Sequence, residues 1–514
     1  MLKKIRIVLG VLFFAGITLM LLDFTGTLHL WLGWMAKIQL LPAIMALNVA
    51  VIAALIIFTL LFGRIYCSVI CPLGVFQDGV AHLSVKSKRR RKNNKPYGWS
   101  KEKKWLRYIV WVIFVAAIII GVQALVALLA PYSAWGRIVQ NLFQPIYIWV
   151  NNLLAAIAER ANSYAFYNRE VWMRSLPTFI IAAVTLVAIV ILAWRGGRTY
   201  CNTICPVGTT LSFFSRFAMF RPVIDTEKCI NCKICEHHCK ASCINIDEHK
   251  IDYSRCVDCF NCLEDCKMGA MKYRFAWKRD SSASLGMTDD SSAGKAAEGK
   301  AGQTTSGGSK NGRRAFLTGA ALAAGSIALK AQEKKTDGGF AMLLDKQVPE
   351  REVPLTPPGS KSVKDFYKRC TACQLCVAEC PNNVLRPSAS LEHLMQPEMS
   401  FEKGWCRPEC TRCSELCPTG AIGRITREQK TRYQVGLASV NRELCVAEKG
   451  TECGNCARHC PAGAIEMVPI EGGELKHPVV NEALCTSCGA CENLCPVRPL
   501  SAITVNGRHN HIKE

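Results

Sequence analysis

The stretch Cys229-Ile-Asn-Cys232-Lys-Ile-Cys235-Glu-His-His-Cys239 decides how this chain is read. Its C-x2-C-x2-C-x3-C spacing is the ligand signature of a [4Fe–4S] cube. Three thiolates within seven residues wrap one cluster, and the fourth usually ligates a neighbour. Five more runs share the form or a close variant. They are Cys256, Cys259, Cys262, Cys266; Cys370, Cys373, Cys376, Cys380; Cys406, Cys410, Cys413, Cys417; Cys445, Cys453, Cys456, Cys460; and Cys485, Cys488, Cys491, Cys495. Six runs imply six cubes in three pairs. So many one-electron centres in one chain read most simply as an electron wire.

The chain has 29 cysteines. Outside the runs lie Cys67, Cys71, Cys201, Cys205 and Cys243. Disulfide frameworks belong mainly to small secreted domains, and structural zinc uses two separated cysteine pairs, so neither suits these runs. Cys243 stands where the run ending at Cys417 has Ala421, and it reads as a small buried residue.

At 514 residues several domains are expected. Apolar residues concentrate in the first two hundred. Four stretches, near residues 7–22, 40–62, 105–129 and 177–194, approach the ~20 apolar residues that a membrane helix needs. The net charge of +23 gathers beside them: Lys3, Lys4 and Arg6; the run from Lys86 to Lys92; Arg195 and Arg198. This positive-inside pattern puts the N terminus, residues 63–104 and the chain after 194 in the cytoplasm. Loops 23–39 and 130–176 then face outward, with residues 143–149 suited to the interface. His29 and His82 read as boundary residues. No basic-and-aromatic recognition element supports nucleic-acid binding.

The second and fourth stretches end alike. Gly63-Arg64-Ile-Tyr66-Cys67-Ser-Val-Ile70-Cys71-Pro72-Leu-Gly74 matches Gly197-Arg198-Thr-Tyr200-Cys201-Asn-Thr-Ile204-Cys205-Pro206-Val-Gly208. A duplicated two-helix unit is the direct reading. The four cysteines are candidate redox thiols or ligands of a further metal site. The plainer alternative is a pair of Gly/Pro turns with buried cysteines.

Four spans, paired C-x3-C-P motifs and a following two-cluster ferredoxin resemble the NapH-type membrane quinol dehydrogenase. The module is also similar to the membrane domains of NosR-type and CcoG-type proteins. The resemblance covers about residues 1–275 and implies a quinone partner. Lys240 and Lys267 depart from it, standing where Pro commonly follows the fourth cysteine.

Residues 279–311 are rich in Ser, Gly, Ala and Lys and read as a flexible linker. Gly312-Arg313-Arg314-Ala315-Phe316-Leu317-Thr318 and the weakly apolar segment after it resemble an internal twin-arginine export signal over 312–334. That implies a fifth crossing and a periplasmic remainder, with cleavage after Ala331 splitting the chain. The alternative is a short amphipathic helix. Residues 335–514 carry four runs, each ending Cys-Pro, separated by strand-like alternations such as 464–468 and 502–505. Pro357-Pro-Gly359, Asp365-Phe366 and the four-run order resemble the NapG/MauM-type periplasmic ferredoxin over about 312–505. Either adjacent runs exchange fourth cysteines, or runs one and four and runs two and three do.

The expected architecture is an α-helical membrane domain (1–215), an α+β two-cluster ferredoxin (216–278), the linker, the signal segment and an α+β four-cluster polyferredoxin (335–514). No C-x-x-C-H, P-loop or hydrolytic triad is apparent. The reading is a multi-pass inner-membrane protein passing electrons between quinol and a periplasmic redox partner. It reads as a quinol dehydrogenase or electron-transfer component without a substrate-reducing site of its own. The rival roles are a NosR- or CcoG-like electron donor for metalloenzyme maturation, and a scaffold with purely structural clusters.

Overall fold

The computed structural model describes residues 1–514 except 24–25, 91–96, 161, 164–165, 170, 172–173, 277–343, 470–474 and 514. The linker, the twin-arginine-like segment and its fifth crossing lie outside the described residues. The parts before and after them belong to one compact unit.

The first part runs α1 (Leu2–Leu22), α2 (Thr27–Leu32), α3 (Trp34–Lys37), α4 (Leu40–Met45), α5 (Val49–Phe62), α6 (Tyr66–Val69) and α7 (Pro72–Arg90). Then come α8 (Lys104–Ile120), α9 (Gln123–Leu129), α10 (Pro131–Ile138), a π-helical turn at Val139–Phe143, α11 (Gln144–Arg160), α12 (Leu176–Gly196), α13 (Thr199–Thr203) and α14 (Pro206–Ser215). Among the described residues, α1 and α12 are long and apolar enough to cross a bilayer. At 1.5 Å per residue each reaches roughly 30 Å.

The stretches 40–62 and 105–129 are not the continuous helices expected. Each is broken in two. Leu47, at φ 54°, separates α4 from α5, and Asn48 caps α5 by accepting from Val51 N at 3.3 Å. Gly121, at φ 96°, separates α8 from α9. Hydropathy reports composition and is blind to such a reversal. The broken pieces make two tips, at Gln39–Leu40 and Leu129–Ala130, that return to the repeated motif. Tyr66 Oη donates to Gln39 Oε1 (2.9 Å) and accepts from Leu40 N (3.2 Å). Tyr200 Oη donates to Leu129 O (3.2 Å).

The duplication survives as swapped packing. Helix α7 of the first unit lies on α12 of the second, and α14 of the second lies on α5 of the first. Both Pro72 and Pro206 open helices, where a missing N–H costs nothing.

The ferredoxin parts are built from short antiparallel strand pairs, three of them hairpins and two closing across the chain between them. In the first, β1 (Phe220–Ile224) pairs with β4 (Met271–Phe275), and β2 (Ile244–Asn245) with β3 (Lys250–Ile251). In the second, β5 (Leu385–Pro387) pairs with β6 (Pro397–Met399), β7 (Tyr433–Val440) with β10 (Ile503–Lys513), and β8 (Ile465–Pro469) with β9 (Lys476–Val480). The alternations at 464–468 and 502–505 fall on β8 and β10, as their period suggested.

Candidate iron–sulfur centres and the four-cysteine site

Twenty of the run cysteines face five apolar cavities in groups of four, and each group draws its fourth member from the neighbouring run. In the first ferredoxin, Cys229, Cys232, Cys235 and Cys266 line one cavity, and Cys239, Cys256, Cys259 and Cys262 line another. In the second, Cys406, Cys410 and Cys413 join Cys380. Cys445, Cys453 and Cys456 join Cys495, while Cys485, Cys488 and Cys491 join Cys460. The remaining four, Cys370, Cys373, Cys376 and Cys417, interact with one another. Adjacent runs therefore place their fourth cysteines in each other's groups, which is the first of the two arrangements left open by spacing.

The backbone suits an anionic cluster. In all four runs spaced C-x2-C-x2-C, the residues just before and just after the second cysteine are left-handed. They are Asn231 and Lys233, Asp258 and Phe260, Ala372 and Gln374, Ser487 and Gly489. Such alternation turns successive N–H groups inward, a concavity typical of Fe–S sites. Among the described residues no group of three or more His, Cys, Asp or Glu side chains is arranged to hold a single metal ion. A four-iron cube needs no such common centre, because its four ligands sit on separate irons.

The cavities have an order. Cys406 N donates to Cys488 O at 2.9 Å, so the group holding Cys406 abuts the group holding Cys488. Cys376 and Cys380, four residues apart, link the first two groups of the polyferredoxin.

Cys243 is more than filler. Its Sγ lies 3.5 Å from Cys239 Sγ and it lines the same cavity as Cys239 and Cys256. Its hydrogen bond brings Cys239 down to about 7.

The repeated motif builds a second kind of site. Cys67, Cys71, Cys201 and Cys205 are all buried, and every pair of them is within electrostatic reach. The arginines cross between repeats. Arg64 Nη2 donates to Cys201 O at 3.3 Å and lies 3.8 Å from Cys67 Sγ. Arg198 Nη1 donates to Cys67 O at 2.7 Å and lies 3.7 Å from Cys201 Sγ. Gly74 and Gly208 leave room for the crossing, since a β-carbon on either would strike a cysteine carbonyl and the opposite guanidinium.

The same motif seats the first ferredoxin. Asp258, inside a cluster loop, accepts from Arg64 N at 2.8 Å. The Lys240 carbonyl accepts from Arg198 N at 2.8 Å. Gly63 and Gly197 have φ of 77° and 64°, and a β-carbon on them would collide with Asp258 and Lys240. Asp78 joins Arg6 (2.6 Å), Arg198 (2.9 Å) and Lys240 (3.5 Å) in a buried network. Lys240, where Pro was expected, thus has its own partners. Burial raises Asp258 to about 7 against the pull of Arg64.

The polyferredoxin meets α10 and the chain after α1. Gly136 lies so close to the Cys373 carbonyl that a β-carbon would collide with it. Asn141 Nδ2 donates to Gln374 Oε1 at 3.1 Å. His29 Nδ1 is 3.8 Å from Glu379 Oε1. Burial lowers His29 and, with Asp23, raises Glu379 to about 8, so this pair carries little charge at neutral pH. One continuous core holds the four motif cysteines, Val257 of the first ferredoxin, and Cys373 and Leu416 of the second.

A family model for a 4Fe-4S binding domain matches residues 44–92 and 177–223, and one for a 4Fe-4S dicluster domain matches 449–498. The ferredoxin-type protein NapF of Escherichia coli K12 is 32% identical over 158 residues, 30% of this chain and 87% of NapF. The chain belongs to the ferredoxin-type 4Fe-4S proteins that include NapF. The methylamine utilization ferredoxin-type protein MauM of Methylobacillus flagellatus is 32% identical over 156 residues, 29% of this chain and 66% of MauM, just under two thirds of its length. An uncharacterized protein of Methanocaldococcus jannaschii, MJ0750, is 23% identical over 284 residues, 54% of this chain and 98% of its own length. This ferredoxin-type chain therefore carries iron–sulfur electron-transfer domains.

Spacing alone found the run cysteines and the repeat. It missed the roles of Arg64, Arg198, Asp78, Asp258, Gly136 and Cys243. For the arginines the signal was present, because they recur at matching places in both repeats. Asp258 and Gly136 carry no such mark.

Proposed function

We propose that this is a membrane-bound electron wire with six [4Fe–4S] clusters, held by the 24 run cysteines in the exchanged groups of four. The observation that carries it is that both ferredoxin parts pack on one helical module. The first sits on the repeated motif at the ends of α5 and α12. The second sits on α10 and Gly26. By the charge pattern the motif side is cytoplasmic, which leaves the polyferredoxin on the periplasmic side. Leu9, Leu12 and Leu19 on α1, with Val184, Val187 and Ile191 on α12, are exposed. So are Trp149, Leu153 and Ile157 on α11. Apolar surface of this extent suits lipid.

In this reading the wire connects the membrane quinol pool with a periplasmic redox partner. The clusters supply one-electron transfer. The protein's own residues exclude water, fix cluster order and set potentials through charge and hydrogen bonds. The test is anaerobic EPR of the purified full chain before and after menaquinol. Reduced-cluster signals are expected. Silence with menaquinol, but signals with dithionite, would overturn the quinol role and favour a cytoplasmic donor and a maturation role.

A further inference from the structure

We infer that Arg137 and Arg174 of the helical module supply the counter-charge for the cluster on Cys370, Cys373, Cys376 and Cys417, raising its potential and tightening the docking of the polyferredoxin when that cluster is reduced. This rests on the cluster reading above and is independent of where the electrons come from.

Burial is the first argument. Arg137 follows Gly136 on α10, at the point where the Cys373 carbonyl approaches, and it is fully buried. Its Nη1 donates to Ala127 O at 2.7 Å, but Nε and Nη2 have no hydrogen-bond partner among the described residues. No carboxylate stands within its electrostatic reach; the groups that do are the Tyr200 phenol and Cys373. Arg198 differs, because Asp78 answers its charge. A guanidinium buried without an anion is costly. The cluster thiolates at Cys373 provide that anion.

Arg174, ahead of α12, repeats the arrangement. Its Nη1 donates to Gln140 Oε1 at 3.1 Å, and the anion-forming groups within its reach are Cys380 and Cys376. Cys376 belongs to the first group of the polyferredoxin and Cys380 to the second. Arg174 therefore stands between two clusters.

Origin is the second argument. Both arginines belong to the module, so the polyferredoxin feels their charge only when docked. Lys430 makes the contrast. This buried cation of the polyferredoxin itself donates to Arg407 O and Cys410 O, both at 2.5 Å, and stays with the second group whether docked or not. Net charge and hydrogen bonds set cluster potentials, and reduction adds one negative charge. A cation beside the cluster favours the reduced form, so docking raises the potential. Linkage then requires the reduced polyferredoxin to dock more tightly by the same factor. The contact that His29 and Glu379 leave nearly neutral thus gains a charge pair through the cluster. The electron comes from a reductant, which is oxidised as one ferric iron becomes ferrous. No bond forms or breaks, and no proton moves.

The test is an anaerobic redox titration of the detergent-purified full chain, reduced with dithionite, reoxidised with thionine and followed by EPR, with iron assayed per chain. Arg137→Gln is expected to lower the reduced-to-oxidised ratio of one component about tenfold at fixed potential, about 59 mV for one electron. The other components should stay in place. Arg174→Gln is expected to move two components by less. Arg137→Lys keeps the charge and should restore most of the shift, which a merely structural role would not. The reciprocal measurement needs no variant. Hydrogen exchange of the α10 amides in the wild type is expected to be slower in the reduced chain than in the oxidised one. Unmoved midpoints in variants with full iron, or equal exchange in both states, would overturn the inference and leave the wire intact. If Arg137→Gln fails to load iron, the wild-type exchange decides. A wild type without reducible cluster signals would overturn the cluster reading itself.

Discussion

The two ferredoxin parts are attached to the helical module in opposite ways. The first is held by buried charge and backbone hydrogen bonds: Arg64 to Asp258, Arg198 to Lys240, Asp78 to three cations. The second rests on close packing at Gly136, one amide pair and a His29–Glu379 contact that is nearly neutral. A buried network with several partners is expensive to break, because each lost partner strands a charge. A packed face is lost gradually. The first ferredoxin is therefore part of the module, and the second is a body docked on it. In the chain, the first follows the module directly, whereas residues 277–343 precede the second.

Ways to break this contrast can be ranked. Arg198→Ala takes one of three cations from buried Asp78 and empties one crossing, at a cost of about 3 kcal/mol, the low end for a broken buried pair because Arg6 and Lys240 remain. Denaturant-driven loss of cluster absorbance should begin at clearly lower concentration. Gly63→Val places a β-branched residue at a left-handed position and drives it into Asp258. A cost of about 1–3 kcal/mol from overpacking, beyond the left-handed strain, is expected, read as loss of the first ferredoxin's clusters. Gly136→Leu should act on the other side alone. The six cubes stay loaded, but limited proteolysis should release the polyferredoxin, and electrons should stop at the module. Asn141→Ala is the mildest, about 1 kcal/mol from one hydrogen bond, seen only as a small shift in that proteolysis.

A pH series sharpens the same contrast. Asp258 ionises near 7 in the folded chain and near 3.8 when unfolded. Its contribution to stability is full below the unfolded value and is lost as pH rises through 7. Stability of the first ferredoxin should fall between about pH 4 and pH 7 and level off above. Asp258→Asn should flatten that fall, and a flat wild-type profile would refute the assignment.

Much of this was legible in the sequence, for a physical reason. Cluster ligation demands short, fixed cysteine spacings, and those are visible in one dimension. The repeat was visible too, and its eight identities now have places. The cysteines converge and the arginines cross. Gly63 and Gly197 admit the ferredoxin, Gly74 and Gly208 admit the arginines, the tyrosines hold the tips, the prolines open helices, and Ile70 and Ile204 pack on the shared core. The exchange of fourth cysteines was expected from the spacing, but which runs of the polyferredoxin are partners was not legible, because it depends on how the chain folds back. The breaks at Leu47 and Gly121 were hidden inside apolar runs that hydropathy averages. Gly136 gave no signal, since its importance comes from a carbonyl more than two hundred residues away.

The most direct test of the central claim is a cryo-EM map of the anaerobically purified full chain, with iron identified independently by X-ray absorption. The account predicts six four-iron densities, each on three cysteines of one run and one of its neighbour: Cys266, Cys239, Cys417, Cys380, Cys495 and Cys460. A map showing disulfides, single metal ions, or cubes held by four cysteines of one run would contradict it.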